Sequence, residues 1–219
     1  MATSKLVLGY WGVQARAQPI RWLLAYHKID FIDKIYTDRT EWTDKDKPAL
    51  NTDFPNLPYI QDGDYVITES SAVLQYAALK TGNNDLLGKN PLDAIKISQL
   101  YSFTTDLKGV IINLVTNKEY EKIRDEFLDE KVAPFLEKVS KNLGEKEYPL
   151  GYLTYADFYL WNYLDLLHRM NAKYLAKWPN LEKYYERINN DGIKAYRKTE
   201  NYPKQYLTAP YATWTGEEK

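Results

Sequence analysis

The chain reads as an α/β half followed by an all-α half. Three observations predict this. Up to Lys80, strand-like runs alternate with helical stripes. Beyond Asn90, every apolar repeat has helical spacing. Between them, Gly82, Asn83, Asn84 and Gly88 form a loop-like stretch. The expected organisation is one domain over 1–82, a linker over 83–90 and a helical domain over 91–219.

Each element has its own signal. Lys5 to Gly9 is a short apolar run, read as a buried strand. Tyr10 to Ala15 reads as a turn. From Arg16 to His27, the stripe Ile20, Leu23, Leu24 and His27 predicts a helix, with Pro19 in its first turn. Phe31 to Tyr36 alternates like a half-buried strand. Thr37 to Asp53 is polar and without clear period. Tyr59-Ile60 and Tyr65-Val-Ile67 flank Gln61-Asp-Gly-Asp64, a hairpin signal. Ala72 to Lys80 reads as a helix. The order expected is β-α-β-α-β-β-α.

In the second half, Asn90-Pro91 opens a helix with a capping asparagine and a proline at its first position. Its stripe runs from Ile95 to Leu114. A second helix is expected over Glu119–Leu143, stopped by Gly144. Thr154-Tyr-Ala-Asp157 is a capping box opening a helix to about Met170. Pro179 opens another through Ile188. The tail from Tyr202 is aromatic and has no helical period.

Composition excludes several chemistries. The 219 residues contain no cysteine, so there is no disulfide, no cysteine zinc site and no thiol nucleophile. Two histidines cannot build a three-histidine metal centre. Lys+Arg 29 against Asp+Glu 30 gives no basic field for nucleic acid or an anionic membrane. No apolar run approaches a bilayer span. Met1 to Lys5 lacks an apolar signal core, so a cytoplasmic location is expected.

Five local patterns, in order along the chain, then converge. They are Leu8-Gly-Tyr-Trp11, Arg16-Ala-Gln-Pro-Ile-Arg21, Asp53-Phe-Pro-Asn-Leu-Pro-Tyr59, Ile67-Thr-Glu-Ser-Ser-Ala-Val-Leu74 and Leu153-Thr-Tyr-Ala-Asp157. Together they resemble the cytosolic glutathione S-transferases, closest to the mu class with sigma and pi features. The resemblance implies a thioredoxin-like first domain, and glutathione as a co-substrate that brings its own thiol. It implies no metal and no other cofactor.

The resemblance also implies site residues. Only a thiolate is a good nucleophile, and a hydroxyl donor aimed at the sulfur lowers its pKa. Tyr10 is the expected donor; as one of 20 tyrosines it is otherwise an ordinary packing residue. Glutathione is expected to contact Trp11, Arg16, Trp42, Lys45, Asn56, Leu57, Pro58, Glu69 and Ser70, with Asp106 reaching from the second subunit. The Leu57–Pro58 bond is expected to be cis. Glu69 would hold the γ-glutamyl ammonium and Ser70 its carboxylate; the alternative is plain N-capping by Ser70 or Thr68. The stretch after Trp42 is one residue longer than the mu pattern, so Lys45 and Lys47 compete for the glycine end. Lys45 is preferred.

The acceptor pocket is expected to draw on Val13, Asp106, Val110, Thr116, Tyr211 and Trp214. Phe54 resembles an aromatic key that inserts into the partner of a homodimer. Gln14-Ala15 departs from the usual Arg-Gly pair and puts the shape of the Tyr10 loop in question. Asp157, His27 and His168 read as structural. The function implied is conjugation of glutathione to small hydrophobic electrophiles. The alternatives are a glutathione-dependent isomerase of prostaglandin type, and a non-catalytic binding protein on the same fold.

Overall fold

The computed structural model describes residues 5–208 and 211–216. The stretch 1–4, part of the segment read for a signal core, lies outside them. The chain divides into two units. Unit 1 runs to Asn84 and takes back Asp191–Pro203; unit 2 comprises Asp85–Asn190 and the chain from Lys204.

Unit 1 is built on a four-stranded sheet of order β2-β1-β3-β4. β1 (Leu6–Trp11) pairs parallel with β2 (Phe31–Tyr36) through α1 (Gln18–Tyr26). β3 (Tyr59–Asp62) lies antiparallel to β1 and to β4 (Tyr65–Thr68), and α3 (Ser70–Lys80) follows. The β1 strand runs two residues further than its apolar core suggests. Tyr10 and Trp11 pair with Ile35 and Tyr36, so they belong to the sheet and not to the following turn. In the hairpin, Gly63 takes φ 60, a conformation that costs glycine little.

The stretch without period, Thr37–Asp53, contains a π-helical turn, Glu41–Asp46, running into the short α2 (Lys47–Ala49). A π turn accommodates one extra residue within a helical run. That accounts for the longer spacing after Trp42.

Asp191–Arg197 forms α9, which the sequence reading does not expect. It packs on α1 within unit 1, where Tyr196 and Tyr202 meet the buried Trp22 ring at 5.7 and 5.8 Å.

Unit 2 is helical: α4 (Pro91–Val115), α5 (Tyr120–Phe127), α6 (Ala133–Leu143), α7 (Tyr155–Met170) and α8 (Pro179–Ile188). Asn90 caps α4 through its side chain, accepting the Asp93 N–H at 3.0 Å. The single helix expected over 119–143 is divided by a second π turn, Leu128–Val132. The cause is Pro134. It has no N–H, and its ring would collide with the Glu130 carbonyl in a regular helix, so a wider turn precedes it.

α7 is the core of unit 2 and is buried along nearly its whole length. Its start is fixed by the capping box: the Thr154 N–H and hydroxyl donate to the Asp157 carboxylate at 2.7 and 2.6 Å, and the Tyr184 hydroxyl joins at 2.9 Å. All three residues are fully buried. Asp157→Ala therefore leaves buried donors without an acceptor, at about 1–3 kcal/mol each. The expected loss is roughly 3–5 kcal/mol of folding stability by denaturant titration. Asp157→Asn, which keeps one acceptor oxygen, should recover part of it.

Candidate functional site

The site in unit 1 grows from one apolar cluster. Tyr10, Ala17, Tyr36, Trp42, Leu57 and Tyr59 are buried together, with Trp11 and Val13 packed against them. Gly9 makes this possible. A Cβ there would sit 2.2 Å from a ring carbon of Tyr59, so only glycine lets that ring lie across β1.

Tyr10 is the penultimate residue of β1, and its side chain is buried. Its hydroxyl accepts the Arg16 backbone N–H at 3.4 Å, and the Arg21 guanidinium lies 6.0 Å from its ring centre. Burial raises the phenol pKa, opposed by the Arg16 N–H and by the charges of Arg16 and Arg21. Among the described residues, six other tyrosines donate a hydrogen bond from the hydroxyl to an aspartate: Tyr36 to Asp46, Tyr76 to Asp62, Tyr152 to Asp93, Tyr184 to Asp157, Tyr185 to Asp165 and Tyr196 to Asp33. Among the described residues, no carboxylate takes the proton of Tyr10. Its hydroxyl is held by an incoming N–H and still has a proton to give.

The loop after Tyr10 is clamped from two sides. The fully buried Arg21 donates to both Asp33 oxygens at 2.9 and 3.2 Å and, through Nη1, to the Val13 carbonyl at 2.9 Å. Gln14, also fully buried, donates to the Tyr202 hydroxyl at 3.1 Å and the Pro203 carbonyl at 2.8 Å. Ala15 holds φ 29, a left-handed conformation, where the family pattern has glycine. In this chain Ala15 thus takes a positive φ in the loop, and Gln14 anchors it to the returning segment. Arg21 and Asp33 received no role from sequence. The signal was there: an arginine beside the apolar stripe of a buried helix needs a buried partner. Arg16 itself is exposed.

The remaining expected ligands gather around β3 and α3. The Leu57–Pro58 bond is cis, as the resemblance implies, and both residues are buried. The Leu57 N–H is accepted by Asn56 Oδ1 at 2.9 Å. Asn56 Nδ2 donates to Glu69 Oε1 at 2.8 Å, so Asn56 and Glu69 form one exposed polar pair. Glu69 holds φ 66 and ψ 118, outside the regions open to a side chain at low cost. The capping alternative fails: no side chain caps α3, the Thr68 hydroxyl donates to the Phe54 carbonyl at 2.7 Å, and Ser70 is the first helical residue.

Trp42 is buried, stacked on Tyr59 at 6.1 Å and edge-on to Tyr36 at 5.5 Å. Trp11 is half-buried and edge-on to Tyr36 at 6.1 Å. Lys45 and Lys47 are both exposed.

In unit 2, Asp106 is exposed and Val110 half-buried on α4. The Thr116 hydroxyl folds back onto the Ile112 carbonyl at 2.8 Å. Tyr211 is exposed. Trp214 is buried, stacked on Tyr120 at 5.8 Å.

A β-α-β unit followed by a β-hairpin and a helix, with a cis proline opening β3, is the thioredoxin-like arrangement that the sequence reading expects. A family model described as glutathione S-transferase, N-terminal domain, matches residues 6–79. Its C-terminal counterpart matches residues 105–200. A glutathione S-transferase of Dermatophagoides pteronyssinus is 35% identical over 223 residues, covering 95% of this chain and 100% of that protein. Human glutathione S-transferase Mu 3 is 32% identical over 225 residues, covering 96% of each. Among solved structures, the pi-class glutathione S-transferase of Onchocerca volvulus superposes with a TM-score of 0.75 at 26% identity, over 88% of this chain and 92% of that one. Rat hPGDS complexed with a quinoline gives 0.73 at 25% identity, over 93% and 100%. The chain belongs to the glutathione S-transferase family.

The backbone at Glu69 generates a prediction of opposite signs. Glycine tolerates φ 66 freely, so Glu69→Gly relieves a strain on the order of 1 kcal/mol. It also removes the carboxylate that faces Asn56. Its melting temperature should be no lower than that of the natural chain, while glutathione affinity by calorimetry falls about tenfold. A destabilised variant with intact affinity contradicts this assignment.

Proposed function

We propose that this chain conjugates glutathione to small hydrophobic electrophiles, with the tripeptide bound in unit 1 and its sulfur at Tyr10. One observation carries the reading: the Tyr10 hydroxyl accepts an N–H and keeps its own proton to donate. A neutral donor stabilises a thiolate more than a thiol. The thiol proton passes to solvent and the thiolate attacks the electrophilic carbon. As the S–C bond forms, either a leaving group departs with its bonding pair or, in an addition, the acceptor's π bond breaks and its electron pair takes a proton from water.

Trp42 and Lys45 serve the glycine end, Leu57 beside the cis Pro58 the cysteinyl part, and Glu69 and Ser70 the γ-glutamyl end. The N–H groups of the first turn of α3 have no intrahelical acceptors, which suits a carboxylate.

The likeness to rat hPGDS favours one second reading, a glutathione-dependent isomerase. An isomerase returns glutathione unchanged, whereas conjugation consumes it. Loss of free thiol during turnover separates the two. Retention on immobilised glutathione without turnover marks a binding protein.

Tyr10→Phe is expected to lower kcat/KM about ten- to a hundredfold, the worth of a hydrogen bond to a charged group. Glutathione affinity should stay within about twofold, because the contact matters once the sulfur is charged. The acidic limb of the pH–rate profile should move up by about one to two units. Equal activity with an unmoved limb would assign the thiolate donor elsewhere.

The assembly is proposed as a homodimer. Phe54 is 73% exposed at the edge of unit 1. Unit 2 carries a cavity of about 500 Å³ between α4 and α6, with Leu100, Phe103 and Val139 in its lining. An aromatic key on one copy and, on the other, a socket with an apolar floor and a charged surround of Asp93, Lys96 and Lys138 suit a two-fold interface, in which each contact occurs twice. Sedimentation at micromolar concentration should show a dimer, and Phe54→Ala should shift it towards monomer. A monomeric natural chain would refute the assembly.

A further inference from the structure

We infer that Asp46, clipped to Lys34 and Tyr36, is a positioning residue that sets the affinity of the site for the glycine end of glutathione. This rests on the reading above, in which Trp42 and Lys45 meet that end.

Trp42 and Lys45 lie on one π-helical turn, Glu41–Asp46, and Asp46 is its last residue. A π turn has poorer packing along its axis than an α-helix and is seldom stable without support. Two contacts hold this one. The Trp42 ring packs on Tyr36 and Tyr59. The Asp46 carboxylate accepts both the Lys34 ammonium and, at 2.6 Å, the Tyr36 hydroxyl. The Tyr36 and Tyr59 hydroxyls lie 3.1 Å apart, so plug and clip seat the turn against the same two tyrosines.

Lys34 and Tyr36 are two residues apart on β2 and share a face. β2 is an edge strand among the described residues, and the turn meets it through the side chains of Lys34 and Tyr36. Lys45 stays exposed on the turn.

Charge makes the clip matter for the ligand. Hydrogen bonds from Lys34 and Tyr36 hold the Asp46 carboxyl below the usual range, so it is ionised at neutral pH. The ligand brings its own carboxylate to this turn. Glu41 and Asp44 on the same turn are also acidic. Lys34 neutralises Asp46, and without it the turn presents one more uncompensated negative charge to an anion.

The test compares glutathione with γ-glutamylcysteine, which has no glycine. Dissociation constants are measured by calorimetry for the natural chain, Asp46→Ala, Lys34→Met and the double variant Lys34→Met/Asp46→Asn. Asp46→Ala and Lys34→Met should each weaken glutathione about tenfold and γ-glutamylcysteine by no more than about twofold. The double variant removes both charges and keeps an acceptor for Tyr36, so it should recover most of the affinity lost in Lys34→Met. A loss shared equally by the two ligands, or no loss, overturns the inference. So does a double variant as weak as Lys34→Met. Lys34 is partly exposed, so its variant decides the matter even where Asp46→Ala fails to fold. If the natural chain binds neither ligand, the glutathione reading itself fails, an outcome distinct from natural binding with insensitive variants.

Discussion

The buried pairing of Arg21 with Asp33 is the constraint on which unit 1 depends. Both side chains are removed from water, at 0% and 3% exposure. A buried ion pair contributes little net stability, because desolvation offsets its attraction, but leaving either charge alone is very costly. The pair therefore acts as a strict geometric condition. It ties α1 to β2, and through Nη1 it ties both to the Val13 carbonyl. Tyr196, on the returning α9, reaches the same Asp33 at 3.4 Å. Four separate stretches of chain must be in register for these bonds to form together. The loop so fixed is the one that carries the Arg16 N–H to the Tyr10 hydroxyl.

Tyrosine suits this architecture because it has an apolar body and a polar tip. A buried or half-buried ring needs a partner for its hydroxyl, and among the described residues aspartate supplies it six times. Those pairs lock elements together: Tyr184 to the start of α7, Tyr76 to the β3–β4 hairpin, Tyr36 to the π turn. A carboxylate at Tyr10 would take up the proton that a thiolate needs. The same residue type thus serves as fastener or, in the role proposed for Tyr10, as donor, according to what faces its oxygen.

Much of this was legible in sequence because the signals are local. The Asp-Gly hairpin, the Asn90-Pro91 helix start, the Thr154–Asp157 capping box and the glycine stop at Gly144 all act over a few residues. The strand at Phe31–Tyr36 followed from its alternation, and the helix at Pro179–Ile188 from the proline that opens it. What was missed depends on distant partners. α9 is only seven residues long, too short for a helical period to declare itself, and it is held by Trp22 and Asp33, far away in sequence. The π turns follow from one added residue and from Pro134, which shift a helical register without altering composition. Trp42 gave no sign that its ring would be buried, because its neighbours Glu41, Thr43 and Asp44 are polar and the rings it meets come from β2 and β3.

In the proposed role of Tyr10 as thiolate donor, its raised pKa has a use. To stabilise a thiolate, the phenol must keep its proton while the thiol gives its own away. Burial alone would hold the phenol neutral, but would also penalise a charged sulfur beside it. The Arg16 N–H and the two arginine charges oppose that penalty without overcoming it at the phenol. Positive charge close to a neutral donor favours an anion on the other side of the hydrogen bond. Burial keeps the proton on Tyr10, and the arginines make the place tolerable for negative charge. In that proposed role the two demands meet across one hydrogen bond and are served by different groups: burial of the phenol, Arg16 in the loop, and Arg21 in α1, which also clamps that loop at Val13.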